Sequence, residues 1–314
     1  MQSIKEIFKI GPGPSSSHTF GPMRASEYIK QTYPNATEVR VTLYGSLALT
    51  GRGHLTDMII KKTLKPLPVS IVFDIKSPVQ HPNTMRFDVF ENGKACASHT
   101  FVSIGGGKIE RDGEKALDGD NIYPQTTMDE IHAYCKKHHL GFDEYVDQIE
   151  GKDFDTYMKA IFSAMIKSVK KGLSKTGVLP GSLQLDRVAS ALNQSAKSCD
   201  DITEQNALLL ASYAYAASEQ NASGGTVVTA PTMGSCGVLP ALVYHYYYDL
   251  EYPKGKIIKG LKVAGLIGNL IQYNATISGA KAGCQAEVGA ACSMGAAMIA
   301  FLQGQTNSQI ECAA

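Results

Sequence analysis

Met85-Arg86-Phe87-Asp88-Val89-Phe90-Glu91-Asn92-Gly93-Lys94-Ala95-Cys96-Ala97-Ser98-His99-Thr100-Phe101-Val102-Ser103 reads as a β-hairpin. Two strand-like runs, 85–90 and 95–103, flank Glu91-Asn92-Gly93. Asn-Gly accepts the positive φ angles of a tight two-residue turn, so the pair marks the reversal. Upstream, Val39, Val41 and Leu43 alternate with Glu38, Arg40 and Thr42, and Val69-Ser70-Ile71-Val72-Phe73-Asp74-Ile75 repeats the strand period. A helix is predicted over 23–32. The first half is therefore mixed α and β.

The second half changes period. Phe154, Tyr157, Met158, Ile161, Met165 and Val169 recur at helical spacing with lysines opposite, and helical patterns continue over 201–218, 238–248, 257–272 and 286–302. Small-residue loops separate them at 177–182, 224–237 and 278–283. The acidic, polar stretch 141–155 reads as the domain boundary. The expected class is α+β: an N-terminal α/β domain with a mixed or antiparallel sheet over residues 1–148, then a mainly α-helical catalytic domain over 149–314.

With 44% hydrophobic and 19% charged residues, the 314-residue chain is that of a globular protein with ample core. A formal net charge of +1 offers no basic footprint for nucleic acid or a membrane surface. No run reads as the roughly 18 apolar residues of a membrane span, and Met1-Gln2-Ser3-Ile4-Lys5-Glu6-Ile7-Phe8 is a short amphipathic opening without a signal-peptide core. Seven scattered cysteines suit a reducing cytoplasm.

Chemistry concentrates first in Pro14-Ser15-Ser16-Ser17-His18-Thr19-Phe20, set between Gly11-Pro12-Gly13 and Gly21-Pro22. Hydroxyls and an imidazole crowded before a helix start have two readings, an N-capping linker or a cradle for an anionic ligand. A second cluster, Tyr44-Gly45-Ser46-Leu47-Ala48-Leu49-Thr50-Gly51-Arg52-Gly53-His54-Leu55-Thr56-Asp57, leaves a strand and sets His54 three residues before Asp57. A carboxylate there would fix the imidazole tautomer for acid–base work, or the two form a capping pair. Ser103-Ile104-Gly105-Gly106-Gly107 either wraps an anion or ends a strand. Cys236, before the helix holding Leu239 and Leu242, is read either as an activated thiol or as a packing residue. Cys284 and Cys292 lie eight residues apart, about 12 Å along one helix, too far to share a small cluster. At the C-terminus, Ser308 and Glu311 form a capping-box pattern that starts a helix near Gln309, barely one turn before Ala314. That end reads either as a frayed tail or as a chain lacking a C-terminal segment.

Seven ordered motifs together resemble the bacterial iron–sulfur L-serine dehydratases over essentially the whole chain. They are Gly13-Pro14-Ser15-Ser16-Ser17-His18-Thr19, Leu43-Tyr44-Gly45-Ser46-Leu47-Ala48-Leu49-Thr50-Gly51, Gly53-His54, His81-Pro82-Asn83-Thr84-Met85, Ser103-Ile104-Gly105-Gly106-Gly107, Thr229-Ala230-Pro231-Thr232 and Gly283-Cys284-Gln285-Ala286-Glu287-Val288-Gly289.

The resemblance implies elimination of water from L-serine to give pyruvate and ammonia. It also implies a [4Fe-4S] cluster on three cysteines, whose open iron acts as a Lewis acid. Cys284 matches the first cluster ligand; the family's other two lie further C-terminal, in motifs this chain does not contain, so the chain is expected to be truncated. Ser15, Ser16, Ser17 and Thr19 are expected to face the substrate, His18 or His54 to move the proton, and Thr229 and Thr232 to hold the carboxylate. The N-terminal domain also resembles the effector domain of some phosphoglycerate dehydrogenases. A homodimer, or association with a second chain, is expected in the cytoplasm, with no nucleic acid or membrane partner. The alternatives are an inactive truncated homologue that at most binds serine, and a pyridoxal-phosphate dehydratase using Lys281.

Overall fold

The computed structural model describes residues 1–114, 120–181, 183–277 and 279–314, with the side chains of 279–281 outside that set. Contacts divide the chain into two units, Pro12–Asp118, and Met1–Gly11 with Gly119–Ala314. A short strand, β1 (Ile10–Pro12), comes before the elements of the first unit.

These elements are α1 (Gly21–Thr32), β2 (Glu38–Tyr44), α2 (Gly45–Thr50), α3 (Thr56–Leu64), β3 (Val69–Asp74), β4 (Thr84–Glu91), β5 (Lys94–Gly105) and β6 (Lys108–Arg111). The sheet order is β3-β2-β4-β5-β6. β2 and β3 are parallel, which requires the crossover that α2 and α3 supply; the other pairings are antiparallel, so the sheet is mixed as expected. Asn92 (φ 49°) and Gly93 (φ 77°) turn the β4–β5 hairpin, with Glu91 opposite Lys94. Val39, Val41, Leu43, Met85, Phe87 and Val89 are fully buried on one sheet face. They share a core with Ala25 and Ile29 of α1 and Ile59, Ile60 and Leu64 of α3.

The second unit holds α4 (Met128–His138), α5 (Phe142–Glu150), α6 (Phe154–Leu173), α7 (Ala189–Lys197) and α8 (Ile202–Ala222). Then come β7 (Thr226–Val228), α9 (Val238–Tyr248), α10 (Lys254–Asn274), α11 (Gly279–Leu302) and α12 (Asn307–Ala313). Of the predicted face of α6, Phe154, Met158, Ile161, Met165 and Val169 are buried and Tyr157 is half-buried against the same core. The acidic stretch 141–155 is mostly α5 rather than a linker. Its Phe142, Tyr145 and Val146 repeat at helical spacing and are fully buried in the helical core, which carries this stretch into the second unit. The division therefore falls near 118 and not at 148.

The amphipathic opening belongs to the same core: Met1, Ile4, Ile7 and Phe8 are at most 1% exposed. The Met1 ammonium donates to Tyr123 O at 2.7 Å. Ile4 and Phe8 lie against α10 where Gly265 has no side chain; a Cβ there would collide with Ile4 Cγ2 and come within 2.9 Å of Phe8 Cε2.

α11 kinks at Gly283 (φ 77°). Its segment Ala282–Leu302 is long and apolar enough, by length and composition, to cross a membrane, against the expectation of no such run; 44% of that window is buried within the fold. At the C-terminus, α12 starts two residues earlier than predicted, at Asn307. Thr306 is the N-cap and Gln309 completes the capping box, in place of Ser308 and Glu311. Ile310 is 1% exposed in the helical core, so this short helix is held by packing.

Candidate functional site

In the first unit the serine-rich motif is one π turn, Ser16–Phe20, that runs straight into α1. Ser15 is extended, and its carbonyl accepts from the amides of both Thr19 and Phe20 at 3.0 Å. Ser15 Oγ accepts from the amide of His18 at 3.1 Å. The capping reading holds, since the serine caps the turn, and the turn presents an imidazole. π turns recur at functional sites because the widened backbone re-aims its side chains.

The His18 ring bridges two hydroxyls: Nδ1 is 3.0 Å from Ser17 Oγ, and Nε2 is 2.9 Å from Ser46 Oγ. Burial, and next the neighbouring His54, push its pKa down to about 4 against an opposing Ser46 hydrogen bond, so the ring is neutral near pH 7. The two imidazoles sit 4.6 Å apart. His54 Nδ1 lies 3.0 Å from Thr50 O, at the end of α2. This carbonyl, rather than the expected Asp57, fixes the His54 tautomer; Asp57 sits in the first turn of α3. A carbonyl only accepts, so Nδ1 carries the hydrogen and Nε2 the lone pair.

The other hydroxyls of the turn mostly hold it together. Thr19 Oγ1 accepts from Ser15 N at 3.2 Å and donates to His54 O at 2.7 Å, tying the turn to His54. Thr56 Oγ1 donates to His18 O at 2.5 Å. Ser16 is 9% exposed. Ser46, to which the sequence reading assigned no role, is seated by His81-Pro82-Asn83: its amide donates to Pro82 O at 2.7 Å. Gly45, at φ 50°, makes that approach, and a Cβ there would come within 2.7 Å of Pro82 O. A glycine and a hydroxyl at a strand-to-helix junction were the available signal. Gly105, Gly106 and Gly107 all have positive φ and form the turn between β5 and β6, the strand-ending alternative.

In the second unit Thr229 and Thr232 separate in role. Thr229 Oγ1 donates to Ile7 O at 2.6 Å and accepts from Lys9 N at 2.8 Å. Its only proton is committed to the N-terminal segment, which corrects its assignment to a substrate carboxylate. Thr232 is 2% exposed, its Oγ1 3.3 Å from Ser235 Oγ. Beside it, a Cβ on Gly234 would collide with the carboxylate of Glu287, so this acid, likewise without an assigned role, packs on the 232–236 turn. Cys236 is buried and its thiol is pushed up to about 12, the packing alternative and not an activated one.

Cys284 is exposed, one residue past the Gly283 kink; Cys292 and Cys312 are also exposed. A three-thiolate cluster needs three converging sulfurs, and no group of three His, Cys, Asp or Glu converges among the described residues. The described donor set does not fit such a cluster. The side chain of Lys281 lies outside the described residues.

Comparison with known proteins adds a decisive match. The model of the serine dehydratase alpha chain fits residues 72–314, and that of the serine dehydratase beta chain fits residues 3–66. The chain belongs to the serine dehydratase family. The break between the two matches falls at the start of β3, so the serine dehydratase beta match holds Ser17, His18, Ser46 and His54 while the alpha match holds Pro82. L-serine dehydratase 1 of Escherichia coli is 34% identical, the match covering 99% of this chain and 80% of that protein. L-serine dehydratases of Helicobacter pylori and Streptomyces coelicolor are 35% and 33% identical, over 98% and 99% of this chain and 80% and 81% of theirs. The E. coli alignment spans 365 positions against 314 residues here, so within it the relative carries at least 51 residues without a counterpart.

Proposed function

We propose that this chain eliminates water from L-serine, yielding pyruvate and ammonia, with His54 Nε2 as the base. The observation that carries the reading is the 3.0 Å contact of His54 Nδ1 with Thr50 O, which leaves Nε2 as the ring's acceptor beside a neutral His18. Family membership supports the substrate class, since the relatives named above are L-serine dehydratases.

The α-proton passes to His54 Nε2 and the Cα–H electron pair forms the Cα=Cβ bond. The Cβ–O bond breaks, and the departing hydroxide takes a proton to become water. The aminoacrylate that remains tautomerises to an imine, which water hydrolyses. The Ser15–Ser17 edge of the π turn is the substrate side in this reading. A [4Fe-4S] cluster is the cofactor the family resemblance implies. Because the described thiols do not fit it, the chemistry assigned to the chain is that of its own side chains.

The test is anaerobic: the chain is incubated with ferrous iron, sulfide and L-serine, and pyruvate and Cα–H exchange in deuterated water are followed. His54→Gln is expected to lower both by about 10²–10⁴-fold. Unchanged exchange in that variant overturns the assignment of the base.

A further inference from the structure

Every polar atom of His18 meets a hydroxyl. Its amide donates to Ser15 Oγ, its carbonyl accepts from Thr56 Oγ1, and its two ring nitrogens face Ser17 and Ser46. A hydroxyl differs from a carbonyl as a ring partner, because it both gives and takes a hydrogen bond. His54, against Thr50 O, has one tautomer imposed on it. His99, with Nδ1 2.6 Å from Asp112 Oδ2, is likewise constrained on that side. His18 has no such constraint.

Two arrangements therefore use the same contacts. In one, Ser46 donates to Nε2, Nδ1–H donates to Ser17 Oγ, and the Ser17 proton turns toward Ser15 Oγ, 3.5 Å away, or outward. In the other, Ser17 donates to Nδ1, Nε2–H donates to Ser46 Oγ, and the Ser46 proton is free to turn outward. The line is held from both ends. Gly45 and the Pro82 carbonyl seat Ser46, and Ser15 and Thr56 pin the His18 backbone.

We propose that Ser17, His18 and Ser46 form a proton relay in which the imidazole changes tautomer without becoming charged. A proton arriving at Ser46 Oγ forms a new O–H bond as the proton already there passes to Nε2. Nδ1–H passes to Ser17 Oγ, and the Ser17 proton leaves. One proton has crossed, and the ring is neutral before and after. In the proposed dehydration, which this inference rests on, the acceptor is the departing β-hydroxide. The donor is the His54 imidazolium, acting through water, which returns His54 to its basic form. Ser46 and Ser17 are then positioning residues that act through His18. The low pKa of the ring agrees with this, since a relay that stopped at imidazolium would be opposed by burial and by His54.

The experiment is ¹⁵N NMR of the intact chain with labelled histidine at pH 7.5, His18 being assigned by its absence in His18→Gln. The relay predicts Nδ1 and Nε2 shifts that are both intermediate, as two exchanging tautomers give. Ser46→Ala should move them to one pyrrole-like and one pyridine-like value, and Ser46→Thr should restore the wild-type pattern. A single fixed tautomer in the wild-type chain overturns the relay, as does a pattern that Ser46→Ala does not alter. Should Ser46→Ala fail to fold, Ser17→Ala carries the same prediction from the other nitrogen. In turnover, Ser46→Ala should lose pyruvate release about 10²-fold while Cα–H exchange falls far less; equal losses overturn the relay. A wild-type chain without pyruvate release would refute the dehydratase reading, and the NMR pattern would still decide the relay.

Discussion

The imidazole rings of His18 and His54 lie 4.6 Å apart, centroid to centroid, with their planes inclined by 33°. Two rings this close do not both carry a proton easily, because the second charge is repelled by the first. Burial falls on His18, so His18 is the ring that stays neutral. Position in the fold thus separates two residues that the sequence presents as equals.

The first prediction concerns acid stability. In the unfolded chain His18 takes its proton near pH 6.5, and in the folded chain only near pH 4. Above pH 6.5 both states are neutral and the residue is silent. As pH falls below 6.5 the unfolded state binds the proton first, so stability is lost down to about pH 4, by on the order of 3 kcal/mol in all. Urea unfolding of wild type and His18→Gln at pH 7 and pH 4.5 measures this. The stability of wild type relative to the variant should fall by about 2 kcal/mol between the two pH values. A constant difference would show that the ring is not held neutral.

The sheet was legible because strands announce themselves locally. Asn92-Gly93 demanded a hairpin turn, and alternation along 39–43 and 85–89 named the buried face. The 141–155 stretch misled because its acids mask buried apolar residues, among them Phe142, Tyr145 and Val146, whose value lies in contacts far along the chain. The site shows the same split. His18 and His54 stood out by type, but Ser46 became visible only once Gly45 and Pro82 were seen to seat it. Thr229 had the right chemistry, and its proton is taken by Ile7, 222 residues away in sequence.

Lys262 gives an asymmetric prediction. Its side chain is 3% exposed, and its ammonium meets Asp147 of α5 and Asp155 of α6, whose side chains are 44% and 57% exposed. Removing the lysine leaves two solvated carboxylates, whereas removing the carboxylates leaves a buried cation. Lys262→Met should change stability by less than about 1 kcal/mol, while Asp147→Asn with Asp155→Asn should cost about 3–5 kcal/mol. Thermal unfolding of the three proteins tests the order, and a costlier Lys262→Met would reverse the argument.

Gly265 tests the seat of the N-terminal segment. A methyl group at this position collides with Ile4 and crowds Phe8, both fully buried. Gly265→Ala should therefore lower stability by about 1–3 kcal/mol, even though alanine favours helix. Gly255, in the same helix with nothing within 4 Å of an added Cβ, is the control and should gain slightly on the same change. If both substitutions behave alike, the segment does not pack on α10 as described.

The C-terminal helix separates packing from charge. α12 has seven residues, too few to stand alone. Asn307 ties its start to Leu140 and Phe142, and further along Ile310 enters the core while Glu311 Oε2 lies 2.7 Å from His132 Nε2. The side chains of His132 and Glu311 are 25% and 41% exposed, so solvent screens the pair and its loss should cost less than about 1 kcal/mol. Ile310 is 1% exposed, and Ile310→Ala should cost about 2–4 kcal/mol. The cost should appear locally, because a terminal helix opens without the rest. Amide hydrogen exchange of residues 309–313 should accelerate by roughly 30- to 1,000-fold in Ile310→Ala and by less than about fivefold in Glu311→Gln. Exchange in α10 should be unchanged in both. Equal acceleration in the two variants would mean that the ion pair holds the helix as firmly as the buried isoleucine, against this ranking.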